Sequence, residues 1–341
     1  MLAIRASRTY FSTQLIQMTS LPERNKPSLF ALAAAFAAVY LIWGSTYLGI
    51  KFAIVTLPAF AMAGMRFLIA GCLLFTYCLL TGQPKPQPRQ WINTTIVGAL
   101  LLLGGNGCVV WAAQHVPSGI VALLVAVLPM WMVLIEWLRP AGTNPSRGVL
   151  IGLVVGFAGV AVLMNPSTSL GNDSIKMVPT LVLLLGGLLW ATGSIYSRRA
   201  KMPASLLVST SMQMLAGGAL LLMVGAFRGD FTKFNPDAVS ALSIGAFAYL
   251  IVFGSLIGFS AYVWLLQVST PARVATYAYV NPIVALLGWA IDGEAMGLRT
   301  FIAAGVIIVA VAFITMAGPG TAKKQQEKTK GAFEVIELAR S

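Results

Sequence analysis

Residues 41–51 read LIWGSTYLGIK, and residues 188–198 read LLWATGSIYSR. Each is an apolar run that turns small and hydroxylated after a tryptophan and closes on a cation. A shift of 147 residues superposes them, Trp43 on Trp190, Ser45 on Thr192 and Lys51 on Arg198. The same shift places Met65 on Met212, Arg66 on Gln213, Gly71 on Gly218, Leu73 on Leu220 and Gly82 on Gly229. A shift of 153 then aligns Gly105 with Gly258, Trp111 with Trp264, Gln114 with Gln267, Pro129 with Pro282 and Gly152 with Gly305. The change of shift implies about six extra residues in the second half, near the loop around 228–240. Small and apolar coincidences are cheap in such a composition. Tryptophan, proline and glutamine coincidences in register are not, so the chain is two copies of one unit.

The solvent of that unit follows from composition. Of 341 residues, 58% are hydrophobic and only 10% are charged, with a mean hydropathy of +0.83. A soluble domain carries about a quarter charged residues to solvate its surface. This chain is too poor in charge for water, so its surroundings are mostly lipid. The net charge of +13 does not indicate a nucleic-acid binder, because the cations lie between apolar stretches and at the ends. A groove-reading domain clusters them on polar elements. Cys72, Cys78 and Cys108 each fall inside an apolar segment and are expected as buried thiols. With His115 as the one histidine, neither a disulfide framework nor a metal site is indicated.

A helix needs about 20 apolar residues to cross the hydrocarbon core. Ten such stretches are legible, near 29–50, 60–81, 92–113, 117–138, 148–165, 178–197, 204–227, 239–267, 271–291 and 299–317. The turns GQPKPQPRQ (82–90), RPAGTNPSR (139–147) and NPSTSLGNDSIK (165–176) are rich in loop-forming residues. Lys and Arg accumulate on the cytoplasmic side. With the N-terminus inside, that side collects Lys85, Arg89, Arg139, Arg147, Arg198, Arg199, Lys201, Arg273 and the basic residues of both ends. The outer side keeps only Lys51, Lys176, Arg228, Lys233 and Arg299. Both termini are therefore expected in the cytoplasm. Residues 1–28 read as a disordered cytoplasmic leader, or as an over-long start with Met18 as initiator, and 318–341 as a cytoplasmic basic tail.

The expected fold is an all-α polytopic membrane protein of ten transmembrane helices, with repeats at 29–165 and 178–317. Five helices is an odd number, so the second copy enters the membrane inverted. Inverted repeats are an architecture of secondary transporters, in which two halves rock about a central site. The pattern resembles the ten-helix EamA-type exporters of the drug/metabolite transporter superfamily. The resemblance rests on WGSTYLGIK in the first helix, MRFLIAG (65–71) in the second and PSGIVALLVAVLP (117–129). In the second half it rests on PARVATYAYVNP (271–282) and the AIDGE end of helix nine (290–294). It covers residues 29–317 and implies ATP-independent export of metabolites such as amino acids, or of amphipathic drugs, through a central cavity. One departure is that EWLRPAG stands where family members often end the fourth helix on Gly-Glu.

Polar groups inside lipid are costly and are read individually. Ser45, Thr46 and Tyr47, matched by Thr192, Ser194 and Tyr196, either face a shared cavity or bond back to their own helices. Arg66, whose counterpart is Gln213, either meets a substrate carboxylate or an ion-pair partner, or snorkels from the outer half of its helix. Trp43, Trp190 and Tyr277 are candidate walls, able to pack against an apolar or cationic ligand. Asn106 in GGNG (104–107) and Asn281 before Pro282 are candidate cavity groups. Pro129 and Pro282 are expected to kink helices four and nine. Gly148, Gly152 and Gly156 have the spacing of a close helix contact. Trp91 and Trp137 suit interfacial belts, while Trp111 and Trp264, beside Gln114 and Gln267 near helix ends, suit either the cavity lining or a belt. Glu136 is three residues from Arg139, the spacing of a helix-surface ion pair, rather than a proton carrier.

An intramembrane enzyme would need a catalytic set at membrane depth, and no paired carboxylates, histidine cluster or Ser-His arrangement is present in the sequence. No Walker motif is present either. The function expected is secondary export of small metabolites across the cell (inner) membrane, with a multidrug or organic-cation carrier as the alternative. The expected partners are a small-molecule substrate and membrane lipid, with a homodimer left open and nucleic acid excluded. No cofactor or metal is expected.

Overall fold

The computed structural model describes residues 27–140, 144–164, 177–232, 234–278, 280 and 298–317. Among them the regular elements are all helices. The first repeat holds α1 (Leu29–Ala53), α2 (Ala59–Leu80), α3 (Pro88–Ala112), α4 (Ser118–Leu138) and α5 (Arg147–Met164). The second holds α6 (Met177–Ser197), α7 (Leu206–Phe227), α8 (Ala241–Val268), α9 (Pro271–Val274) and α10 (Leu298–Ala317). Seven of these, α1–α4 and α6–α8, are long and apolar enough to cross a bilayer, while α5 and α10 carry shorter apolar stretches. The expected ninth span begins with α9. Most of it, including Asn281, Pro282 and the AIDGE end, lies outside the described residues, as do most of the leader and the basic tail.

The duplication is visible in backbone detail. α2 and α7 both stop on a left-handed glycine, Gly82 with φ 70° and Gly229 with φ 75°. A residue with Cβ is strained there, and glycine lets the chain turn back on the last carbonyls. The Gln83 amide accordingly donates to the Cys78 carbonyl at 3.0 Å, and the Asp230 amide to Gly225 at 2.9 Å. α3 and α8 each contain a π-helical stretch, Ala99–Asn106 and Leu250–Phe259, at matched positions. Such stretches are rare and gather at functional sites. Seven residues separate Leu80 from Pro88 and thirteen separate Phe227 from Ala241, which places the expected insertion in the α7–α8 loop. A 3₁₀ turn, Pro236–Ala238, occupies part of it.

Helix pairing follows the small residues. A Cβ on Gly64 would lie 2.7 Å from Leu222 Cγ, and one on Gly218 2.9 Å from the Gly64 carbonyl oxygen, so α2 and α7 meet backbone to backbone. Gly152 and Gly159 play the same part for α5 against Ile314 and Ile307 of α10. Within lipid, close backbone approach of this kind supplies the packing that the hydrophobic effect does not. α4 breaks at Ala126–Val127 and resumes at Leu128, with Pro129 in its first turn. Proline has no N–H to donate to the Val125 carbonyl, which accounts for the interruption. Of the three thiols, Cys78 is buried and Cys108 half-buried, but Cys72 is exposed on α2, because it points away from the α2–α7 seam. The expectation of three buried thiols is corrected at Cys72.

Candidate functional site

A cavity of about 60 Å³ opens where α1, α2, α3, α4, α6 and α8 converge. Its volume suits a few water molecules. α1 contributes Trp43, Thr46, Tyr47 and Ile50, and α2 contributes Arg66 and Phe67. α3 adds Gly105, Asn106 and Val109, and α4 adds Val125 and Leu128 on either side of its break. α6 supplies Gly186, Gly187 and Trp190, α8 supplies Gly254 and Phe259, and Tyr277 follows α9. The lining uses the C-terminal halves of α1 and α3 and the N-terminal half of α2. The cavity therefore lies toward the end of the bundle that holds the α1–α2 and α3–α4 turns.

Its floor is an aromatic cluster. The Trp43 ring meets Trp190 edge-on at 5.4 Å, Tyr277 edge-on at 5.0 Å, and Tyr262 at 4.9 Å. These are favourable ring geometries. Two glycines make the fit. A Cβ on Gly105 would come within 2.5 Å of the Trp190 ring, and one on Gly258 within 2.6 Å of Trp43. Trp43 Nε1 donates to the Gly254 carbonyl at 3.2 Å, inside the π-helical stretch of α8. Trp190 Nε1 donates to Tyr262 Oη at 2.8 Å, and Tyr262 Oη shares a further 2.6 Å hydrogen bond with Ser194 Oγ.

Arg66 is the one charge among the described lining residues. It is 3% exposed, and its Nε and Nη1 have no hydrogen-bond partner. Its guanidinium carbon lies 4.3 Å from the centre of the Phe67 ring. The snorkelling alternative is corrected: the side chain is turned into the bundle. Asn106, on the same wall, has an unpartnered Oδ1. Two polar residues with open hydrogen-bonding capacity thus face one cavity, a costly arrangement in an apolar interior.

Of the residues named from sequence, Trp43, Thr46, Tyr47, Arg66, Asn106 and Tyr277 line this cavity, and Trp190 does so too. Ser45, Thr192, Ser194, Tyr196 and Gln213 are not part of its wall. Ser45 Oγ bonds back to the Ile42 carbonyl at 2.8 Å and pairs with Tyr249 Oη at 2.6 Å. Thr192 bonds back to Leu188 at 2.8 Å, and Tyr196 donates to Asn93 Oδ1 at 2.9 Å. Even Thr46, on the wall, turns its hydroxyl to the Trp43 carbonyl at 2.7 Å. Phe67, Val109 and Phe259 were not named. Phe259 was findable, since the 153-residue shift puts it on Asn106. Outside the cavity, Glu136 is paired with Arg139 at 2.9 Å, as its spacing predicts, with Arg199 at 3.9 Å. Among the described residues no group of His, Cys, Asp and Glu is arranged to hold a metal.

Two repeats of apolar helices, with a polar and aromatic cavity between them, define a multi-pass membrane transporter. Residues 28–165 and 177–316 each match the EamA-like transporter family, and the chain belongs to that family. It is 37% identical over 290 residues to the uncharacterized inner membrane transporter YedA of Escherichia coli (strain K12), covering 84% of this chain and 92% of that one. It is 24% identical to the uncharacterized transporter YvbV of Bacillus subtilis (strain 168), over 75% and 81% of the two chains. A solved crystal structure at 21% identity shares the fold, with a TM-score of 0.59 over 84% of this chain and 97% of the other.

Proposed function

We propose that the protein is a secondary transporter that exports small carboxylate-bearing metabolites, such as amino acids, across the inner membrane by alternating access. In this reading ten spans form two inverted five-helix halves with both termini in the cytoplasm, the side where the loop cations collect. The observation that carries the substrate class is Arg66. Keeping an arginine at membrane depth costs at least about 2.5–3.5 kcal/mol, and here Nε and Nη1 have no hydrogen-bond partner and no described residue pairs with the charge. A planar carboxylate supplies both, through paired charge-assisted bonds. Asn106 Oδ1 accepts a hydrogen bond from a donor on the same ligand, and the faces of Trp43 and Tyr277 cover its apolar or cationic part.

The aromatic floor is also the observation that favours the alternative, an organic cation. None of the described lining residues is acidic, so such a cation would find ring faces but no counter-ion, and Arg66 would repel it. The free volume is too small for a drug-sized ligand, whose pockets span about 300–1,000 Å³. Loading therefore requires the helices to part. The test is counterflow in liposomes carrying the purified protein and a mixture of labelled amino acids, with and without a pH gradient. Saturable exchange of particular amino acids supports the proposal, and a response to the gradient identifies coupling to protons. No exchange, together with movement of an organic cation dye, overturns the carboxylate reading.

A further inference from the structure

Gln213 occupies, in the second repeat, the position that Arg66 holds in the first. The two sit on α2 and α7, the helices that meet through Gly64, Gly71 and Gly218. Their surroundings differ. Arg66 lines the cavity; Gln213 is 1% exposed, deep in α7, and does not. Beside it Ser209 is 1% exposed and Thr210 fully buried. Gln213 Nε2 donates to Ser209 Oγ at 3.1 Å, yet Gln213 Oε1 and Thr210 Oγ1 have no partner. Buried polar atoms are nearly always paired, and each orphan asks for an explanation. Packing alone does not require this set, since the neighbouring buried positions Met212 and Met214 are filled by apolar side chains.

We propose that Gln213, Ser209 and Thr210 form a second, occluded substrate subsite, the counterpart of Arg66 in the opposite-facing state. The inference rests on the alternating-access reading above. When two related halves exchange conformations, the end lined by Arg66 closes and the end that holds Gln213 opens. The hydroxyls of Ser209 and Thr210 and the Gln213 Nε2 group then donate to the carboxylate that Arg66 held, while the unpartnered Gln213 Oε1 accepts from a donor on the same ligand, as Asn106 Oδ1 does in the cavity. The chemistry differs in one respect, because this subsite is neutral. A carboxylate is gripped by a charge on one side of the membrane and by uncharged donors on the other, so the two faces hold it unequally. The Trp190–Tyr262–Ser194 hydrogen bonds are what close that end in the present conformation.

Directional thiol labelling tests this. The full-length protein with Cys72, Cys78 and Cys108 replaced by alanine receives Arg66→Cys, Gln213→Cys or Ser209→Cys singly. Each variant is exposed, in right-side-out and in inside-out vesicles, to a membrane-impermeant charged methanethiosulfonate. The expected result is labelling of Arg66→Cys from one face and of Gln213→Cys and Ser209→Cys from the other. Labelling of Arg66→Cys while neither Gln213→Cys nor Ser209→Cys reacts from either face overturns the second subsite and leaves the carrier intact. Labelling of all three from one face also overturns it, in favour of one continuous site. Should Arg66→Cys itself stay unlabelled from both faces, the cavity reading falls and this inference with it. Ser209→Cys adds little bulk, so it keeps the test open if Gln213→Cys does not fold.

Discussion

The Trp43 indole of α1, in the first repeat, is seated against Gly258 of α8 in the second; reciprocally, the Trp190 indole of α6, in the second repeat, is seated against Gly105 of α3 in the first. The steric device is the same, a bare glycine in or beside a π-helical stretch accepting an indole ring. The hydrogen bonds that complete it are not. Trp43 spends its N–H on a backbone carbonyl, and its ring walls the cavity. Trp190 spends its N–H on Tyr262, which is also tied to Ser194. The residue matched to Tyr262 by the 153-residue shift is Val109, which has no hydroxyl to make such a tie. Backbone sterics have thus been kept through the duplication while the polar chemistry has diverged.

The largest effect is expected where the halves are alike. Gly105→Ala and Gly258→Ala each push a Cβ to within 2.5–2.6 Å of an indole ring. Overpacking of this kind costs about 1–3 kcal/mol, and leucine at either position should prevent folding. Thermal midpoints of the two alanine variants in detergent should fall together, whereas Gly245→Ala, which meets nothing within 4 Å, should not fall. A loss at Gly258 with none at Gly105 would show that the two seats are not equivalent.

Next comes the position where the halves differ most. Arg66→Met removes a buried group with unpaired donors, so the protein should gain about 1–3 kcal/mol of stability. In the same variant kcat/KM for a carboxylate substrate should drop at least about tenfold, the worth of one charge-assisted hydrogen bond. Stability and transport moving in opposite directions is the signature of a functional charge. A fall in both would make Arg66 a structural residue.

The comparison also marks what the sequence could and could not reveal. The repeat, its change of shift and the matched glycines were legible because glycine, tryptophan and proline act through shape, and shape survives translation along the chain. Gly82 and Gly229, paired by sequence alone, prove to be the two left-handed helix ends among the described residues. The hydroxyl patch was misleading for a physical reason. A serine or threonine in a helix has a carbonyl three or four residues back within reach, and in lipid it takes it, as Ser45, Thr46 and Thr192 do. Arg66 was visible as a charge, but its direction was not, since one helix position serves equally for snorkelling and for turning inward. Only the packing of α2 on α7 decides it.

A smaller effect is expected at another broken pair. Asp230 follows α7 and accepts hydrogen bonds from the Phe60 and Ala61 amides, both at 3.0 Å, capping the start of α2. Gln83 holds the matched place after α2, and among the described residues no side-chain cap is found at the start of α7. Asp230→Ala should cost about 1 kcal/mol, the usual value of a helix cap, with a contribution from the helix dipole. Gln83→Ala should cost nothing measurable. Equal losses in the two variants, read from their thermal midpoints, would mean that the cap does not distinguish the halves.

Glu136 gives the smallest effect and the sharpest exclusion. It is bonded to Arg139, the residue that follows α4, and lies 3.9 Å from Arg199, just past the end of α6. Its side chain is 38% exposed, so the attraction is screened, and exposed pairs contribute about 0.2–1 kcal/mol. Glu136→Gln should therefore lower stability by no more than that. The same variant separates the ion pair from the proton carrier that an acid in a transport helix suggests. A carrier must gain and lose its proton in each cycle, so glutamine would abolish any transport driven by a pH gradient. A partner of two arginines need only stay ionised. Gradient-driven uptake in liposomes should be unchanged by Glu136→Gln, and its loss would move the working chemistry from the Arg66 cavity to the junction of α4 and α6.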